Sequence, residues 1–163
     1  MADKKISELI ELVTPADADE LAIVDKSAVV TKKVTYQNLR ALVSQGAIAF
    51  IIDGGGSAIT TGEKGHLEIP FACEIQQVTL LADQSGSIVI DIWKDTYANF
   101  PPTAVDSICA DAKPTISAAQ KSQDSTLIGW TKTINAGDIL AFNVDSVATI
   151  TRVTLALKVK KVA

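Results

Sequence analysis

The sequence predicts a mainly β protein: an antiparallel, jelly-roll-like β-sandwich preceded by a small helix-hairpin-helix unit. Three observations carry that expectation. Short runs of β-branched and apolar residues recur from Gly65 to the C-terminus, with turn residues between them. In the clearest run, residues 87–94, Ile88, Ile90 and Ile92 fall on one face and Val89, Asp91 and Trp93 on the other, as side chains alternate along a strand. No helical period of useful length follows Ser44, which argues against an α/β arrangement.

Taken in order, residues 5–13 predict a short helix, because Ile6, Leu9, Ile10 and Val13 recur at three- and four-residue spacing. Thr14-Pro15 ends it, since the residue before a proline avoids the helical region. Residues 20–25 and 31–35 predict a hairpin across a turn at 26–28. Residues 36–44 predict a second helix with Leu39, Leu42 and Val43 on one side and Thr35 as its cap. This unit, 1–46, is shorter than the ~70–80 residues at which one core becomes self-sufficient, so it is expected to need a partner surface. A second domain, 47–163, follows.

In that domain, residues 47–52 predict a strand and Gly54-Gly55-Gly56 a loop. Residues 66–69, 73–81 and 87–94 predict strands, the last two joined as a hairpin through Asp83-Gln84-Ser85-Gly86. Pro101-Pro102 makes 95–103 a loop. Residues 107–112 predict a short edge segment, and the polar, serine-containing stretch 113–125 predicts mostly loop. Strands are expected at 127–134, at 139–144 ahead of a turn at Asp145-Ser146, and at 152–160. In the last, Val153, Leu155, Leu157 and Val159 face inward.

Composition narrows the function classes. The chain has 163 residues, 47% hydrophobic and 21% charged, enough apolar material for a sizeable core. The formal charge is −4, and the lysines at 158, 160 and 161 form the sole basic cluster, which argues against nucleic acid as a partner. The N-terminal segment lacks the continuous apolar stretch of a signal peptide, and no segment reaches the ~20 apolar residues that span a bilayer, so no membrane insertion is expected. Cys73 and Cys109 match no metal or redox spacing and predict two unpaired thiols.

The chemistry-bearing residues are sparse. His66 is the one histidine, with no second ligand at metal spacing and no Gly-x-Ser-x-Gly elbow to serve. Gly54-Gly55-Gly56 lacks the lysine spacing of a phosphate loop. The aspartates between Asp83 and Asp145 are scattered and mostly in turn positions, so no pair of catalytic carboxylates or EF-hand stands out. These patterns predict no catalytic residue, no bound metal and no cofactor. Tyr97 and Phe100, in the proline-containing loop, are the aromatics placed to meet a ligand or partner, while Trp93 and Trp130 are expected to pack.

One resemblance adds a role. Lys5-Ile6-Ser7-Glu8-Leu9, the Thr14-Pro15 break, Asp19-Glu20-Leu21 with Ile23-Val24-Asp25, and Thr31-Lys32-Lys33-Val34-Thr35 together resemble the N-terminal modules of tailed-bacteriophage virion proteins, especially tail fibres and head fibres. Stretches 65–102 and 129–146 look like β-sandwich domains of phage structural proteins. The resemblance implies a non-enzymatic virion component made in the host bacterial cytoplasm. Its N-terminal module attaches to the particle, through Ile6, Leu9, Ile10, Leu39 and Leu42 in this chain. The β domain projects outward as a homotrimer. A receptor-binding fibre of this kind usually carries a long shaft, and here 44–48 joins the two parts almost directly. The first expectation is therefore a capsid-surface decoration (cement) protein or short head fibre, with phage capsid proteins and its own copies as partners. The alternative is a short tail fibre or receptor-binding protein on the phage tail that recognises a host-surface glycan near Tyr97 and Phe100. A carbohydrate-active enzyme is the poorest fit.

Overall fold

The computed structural model describes residues 15–25, 27 and 30–162. The chain divides into two compact units, Met1–Ser44 and Gln45–Ala163.

In the first unit, Glu20–Asp25 (β1) and Val30–Thr35 (β2) pair antiparallel, Glu20 opposite Thr35 and Asp25 opposite Val30. Tyr36–Val43 (α1) follows at once. Thr35 stays extended and its Oγ1 accepts the Asn38 N–H at 3.2 Å, satisfying one of the donors a helix start leaves open. Ion pairs from Lys33 to Glu20 (2.6 Å) and from Arg40 to Asp17 (3.0 Å) brace the hairpin and the helix. The helix expected over 5–13 lies outside the described residues. A helix-hairpin-helix is therefore not what the structure supports: among the described residues the unit is a hairpin and one short helix.

The second unit is mainly β and antiparallel. Its strands are Gln45–Asp53 (β3), Gly62–Ile69 (β4), Cys73–Thr96 (β5), Thr115–Asp124 (β6), Thr133–Ile134 (β7), Asp138–Ala148 (β8) and Arg152–Lys161 (β9), joined in one seven-stranded sheet. The long strand β5 organises it. Its first part pairs with β9 from Cys73–Lys161 to Ala82–Val153, and its second part pairs with β8 from Ser87–Ala148 to Thr96–Asp138. Thus β8 and β9 act as one long partner interrupted at 149–151. The far edge of that partner is lined by β4 along β8 and by β3 along β9. The other edge of β5 carries β6 and β7.

These ribbons bend at one corner, and the sheet curls onto itself. Phe50 of β3 and Phe142 of β8 belong to strands that are not hydrogen-bonded neighbours, yet their rings stack at 4.2 Å. The core between the two halves comes from the inward positions of each strand: Ile48 and Ile52 from β3, Ile75, Val78 and Leu80 from the first part of β5, Ile88, Ile90 and Ile92 from its second part, Leu140, Phe142 and Val144 from β8, and Val153, Leu155, Leu157 and Val159 from β9. Cys73 and Cys109 are both free and buried.

The corner explains the main correction to the sequence reading. Residues 83–86 do not reverse the chain, and β5 runs straight through them. Their turn chemistry serves a bend instead. Asp83 accepts the Arg152 N–H at 3.0 Å and the Thr151 N–H at 3.2 Å, together with the Thr151 hydroxyl. Gln84 donates to Thr149 O, and Thr149 Oγ1 donates to Ser85 O at 3.0 Å. Gly86 lets the two backbones meet, since a Cβ there would stand 2.5 Å from Ala148 O.

Four other expectations change. The stretch 113–125 contains strand β6, whose polarity reflects an edge position with mostly exposed side chains. The stretch 127–134 is strand only at β7; Leu127 and Gly129 take positive φ, and the buried Trp130 donates its indole N–H to Ala112 O at 2.8 Å. Asp145-Ser146 is not a turn, because β8 continues to Ala148 with Ser146 opposite Val89. Segment 107–112 makes a single bridge, Ser107 to Trp93, rather than a strand.

Candidate functional site

The second part of β5 and its partner β8 are covered on both faces. Inward lie Ile88, Ile90 and Ile92; outward lie Val89, Asp91 and Trp93. Asp91 is 3% exposed. It is held by Ser107 Oγ at 2.6 Å and by Lys113 Nζ at 2.9 Å, and Lys113 also reaches Asp145 at 2.7 Å. Burial alone raises the Asp91 carboxyl, but the hydrogen bonds from Ser107 and Lys113 and the Lys113 charge outweigh it and leave the group below its ordinary range. Lys113 is pushed upward by Asp145 first and then by Asp91. Each group is thus locked in its charged form. That is the reverse of the near-neutral poise a proton-transfer pair requires, so this cluster pins the segment after the 95–103 loop to the sheet.

The loop begins with Asp95, which accepts the Thr96 N–H at 2.7 Å and the Asn99 side-chain amide at 3.1 Å; those bonds lower its carboxyl. Tyr97 opens a single 3-10 turn, Tyr97–Asn99, and Phe100 follows. A second turn, Ala104–Asp106, is closed by a capping box in which Thr103 N donates to Asp106 at 2.8 Å. The loop returns over the outer surface of β4 and β8. There the Phe100 ring meets the His66 ring edge-on at 4.8 Å, and His66 Nε2 lies 3.2 Å from Glu63 Oε1. His66, Glu68, Tyr97, Phe100 and Ile139 line an open groove of about 420 Å³. Tyr97 is 79% exposed and Phe100 52%. Two aromatic faces beside a carboxylate and an imidazole can stack against a ligand and hydrogen-bond its polar edge.

The sequence singled out Tyr97 and Phe100, and the fold brings them together. It did not single out His66, Glu68 or Ile139 for this groove; the signal lies in the β4–β8 register, which sets Glu68 opposite Ile139 and His66 opposite Ala141. Of the residues expected at the particle contact, Ile6, Leu9 and Ile10 lie outside the described residues, as does the side chain of Leu42. Leu39 is exposed on α1, four residues before Val43, which is 73% exposed. Leu21 and Ile23 are exposed together on one face of β1, a surface the sequence reading did not single out.

Among the described residues, no three His, Cys, Asp or Glu side chains converge as metal ligands, and no helix is long and apolar enough to cross a membrane. No family model matches the chain, and no curated protein matches it.

Proposed function

We propose that this chain is a non-enzymatic structural protein of a tailed-phage virion, a capsid-surface decoration protein or short head fibre that attaches through its first unit. The observation that carries the reading is the pairing of a small unit that exposes Leu21, Ile23, Leu39 and Val43 with a larger unit whose core is complete in itself. Exposed aliphatic side chains at that density on so small a body are the signature of a surface that becomes buried against a partner. The first unit docks on the shell through Leu39 and Leu42 together with the segment bearing Ile6, Leu9 and Ile10. The β unit then projects from the particle as a homotrimer. Its curled sheet is read here as a jelly roll, because long antiparallel ribbons bend together at one corner.

A second reading is favoured by the groove beside Tyr97 and Phe100: a short tail fibre whose exposed aromatics stack on a host-surface glycan. Immunogold labelling of intact particles, with copy number from quantitative mass spectrometry, separates the two. Many copies on the heads support decoration. A few copies confined to the tail support the fibre. Absence from purified particles rejects both.

A further inference from the structure

Among the described residues four strands of the second unit's sheet have a single partner, β3, β4, β6 and β7; β7 is only two residues long, and β4 and β6 are blunted. β4 carries Glu63, Lys64 and Glu68 and breaks register between Glu63 and Gly65. β6 carries Lys121 and Asp124, breaks register twice against β5, and holds Ala118 at positive φ. Charges and bulges of this kind are how natural sheets keep edges from pairing with other chains. β3 has neither. It runs nine residues against β9 with no register shift, contains no proline, and bears no charge before Asp53. Its outward side chains are Ala47, Ala49 and Ile51, all exposed. Among the described residues β9 is its only partner.

We propose that the free edge of β3 pairs antiparallel with the same edge of a second copy of this chain, on a twofold axis at Ala49. Charge selects that arrangement. Asp53 stands at one end of β3 with Arg152 of β9 opposite it, so that end is balanced, whereas Lys158 and Lys160 of β9 make the other end positive, Lys160 opposite Gln45 and Lys158 opposite Ala47. Antiparallel self-pairing centred on Ala49 sets Asp53 of one copy against Gln45 of the other, within a lysine side chain's reach of Lys160 on the same face. Parallel pairing would bring the two lysine-rich ends together. Ala47 and Ala49 keep the side chains about the proposed axis small. Nine residues give a contact only about 30 Å long, and strand pairing alone falls short of the ~1,000 Å² of a stable interface. The association is therefore weak and reversible. It goes beyond the particle-attachment reading and does not depend on it, and a threefold contact elsewhere on the chain is compatible with it.

The test is cysteine trapping in the full chain, where the native thiols are buried. Paired Cα atoms in an antiparallel ladder lie about 4.5–5.5 Å apart, inside disulfide range. Under mild oxidation Ala49→Cys should form a disulfide dimer. Ile51→Cys alone should not, while a mixture of Ala47→Cys and Ile51→Cys chains should cross-link to each other. Asp53→Lys in the Ala49→Cys background should slow the cross-link several-fold, and adding Lys160→Glu should restore it. Failure of Ala49→Cys to dimerise, or equal dimerisation of Ile51→Cys, overturns the proposal. Particle labelling reads the attachment hypothesis separately.

Discussion

Replacing Gly86 with alanine should cost far more than a surface glycine substitution ordinarily does. A Cβ at this position would sit 2.5 Å from Ala148 O and 2.7 Å from Ile150 Cγ1, and would also strike Thr149 Oγ1. Two of those three atoms cannot swing away, since one is backbone and the other belongs to a fully buried side chain. Restoring ordinary contact with Ala148 O moves the two strands apart by roughly 0.9 Å at the corner, an overpacking strain of about 2 kcal/mol. The same shift lengthens the bonds from Thr149 to Ser85 and from Gln84 to Thr149, adding about 1–2 kcal/mol. The expected loss is about 3–4 kcal/mol, or roughly 2 M in the urea midpoint for a domain of this size. Tryptophan fluorescence reports it, because Trp93 and Trp130 both lie in the second unit. Gly137→Ala is the control: its φ is +87° but a Cβ there meets nothing within 4 Å, so it carries conformational strain without a clash. A Gly86→Ala midpoint no lower than that of Gly137→Ala would refute the corner as the place where the ribbons are locked together.

Other perturbations test the remaining parts of the structure. Lys113→Met strands the buried Asp91 carboxylate and should destabilise by about 2–3 kcal/mol, below the usual cost of breaking a buried pair because Lys113 is partly solvated; Asp91→Asn in that background should recover much of the loss in urea titration. Asp83, Asp91, Asp95 and Asp124 are all held below their ordinary range, Asp83 chiefly by the Thr151 hydroxyl and Asp124 by that of Thr126. The folded state therefore binds fewer protons than the unfolded chain near pH 4, so stability should be level between about pH 5 and pH 8 and fall as pH drops below about 4, with a shallower fall in Asp83→Asn. Ile90→Ala removes a fully buried side chain between the sheet halves and should cost about 3–4 kcal/mol with β structure retained by circular dichroism. Burial pushes the Cys109 thiol up to about 12 and raises Cys73 as well, so a thiol reagent at pH 8 should label neither in the folded protein and both in denaturant.

What the residues revealed in advance follows from whether the physics was local. The alternation of Val153, Leu155, Leu157 and Val159 was legible because one face of β9 is dry and the other wet. The Thr35 cap was legible because its hydrogen bond spans three residues. The corner was misread because Asp83, Ser85 and Gly86 are turn formers by local chemistry, while the partners that turn them into a bend, Ala148 to Thr151, lie more than sixty residues away. β6 was missed for a related reason: an edge strand with mostly exposed side chains has a loop's composition. The run 127–134 misled in the opposite direction, since Leu127, Trp130 and Ile134 are buried one at a time by an irregular backbone rather than along a strand face. In the groove, Tyr97 and Phe100 stood out as aromatics in a proline loop. His66, Glu68 and Ile139 joined them only through the strand register.

The curl of the sheet also decides which surfaces remain for binding. Both inner faces are consumed by the core, and the outward face at Asp91 and Trp93 is occupied by Ser107 and Lys113. Two surfaces that stay open on the second unit are the groove on the β4–β8 half and the bare edge of β3 on the β3–β9 half. The two share no residue, so neither contact excludes the other through a common side chain. A ligand in the groove should leave the Ala49→Cys cross-link unchanged, and Ala49→Lys, which sets like charges face to face on the twofold axis, should leave ligand binding unchanged. The link between the halves runs through the corner at Gly86. If Gly86→Ala loosens the bend without unfolding the sheet, the first loss expected is the stacking of Phe50 on Phe142, and both surfaces should weaken together.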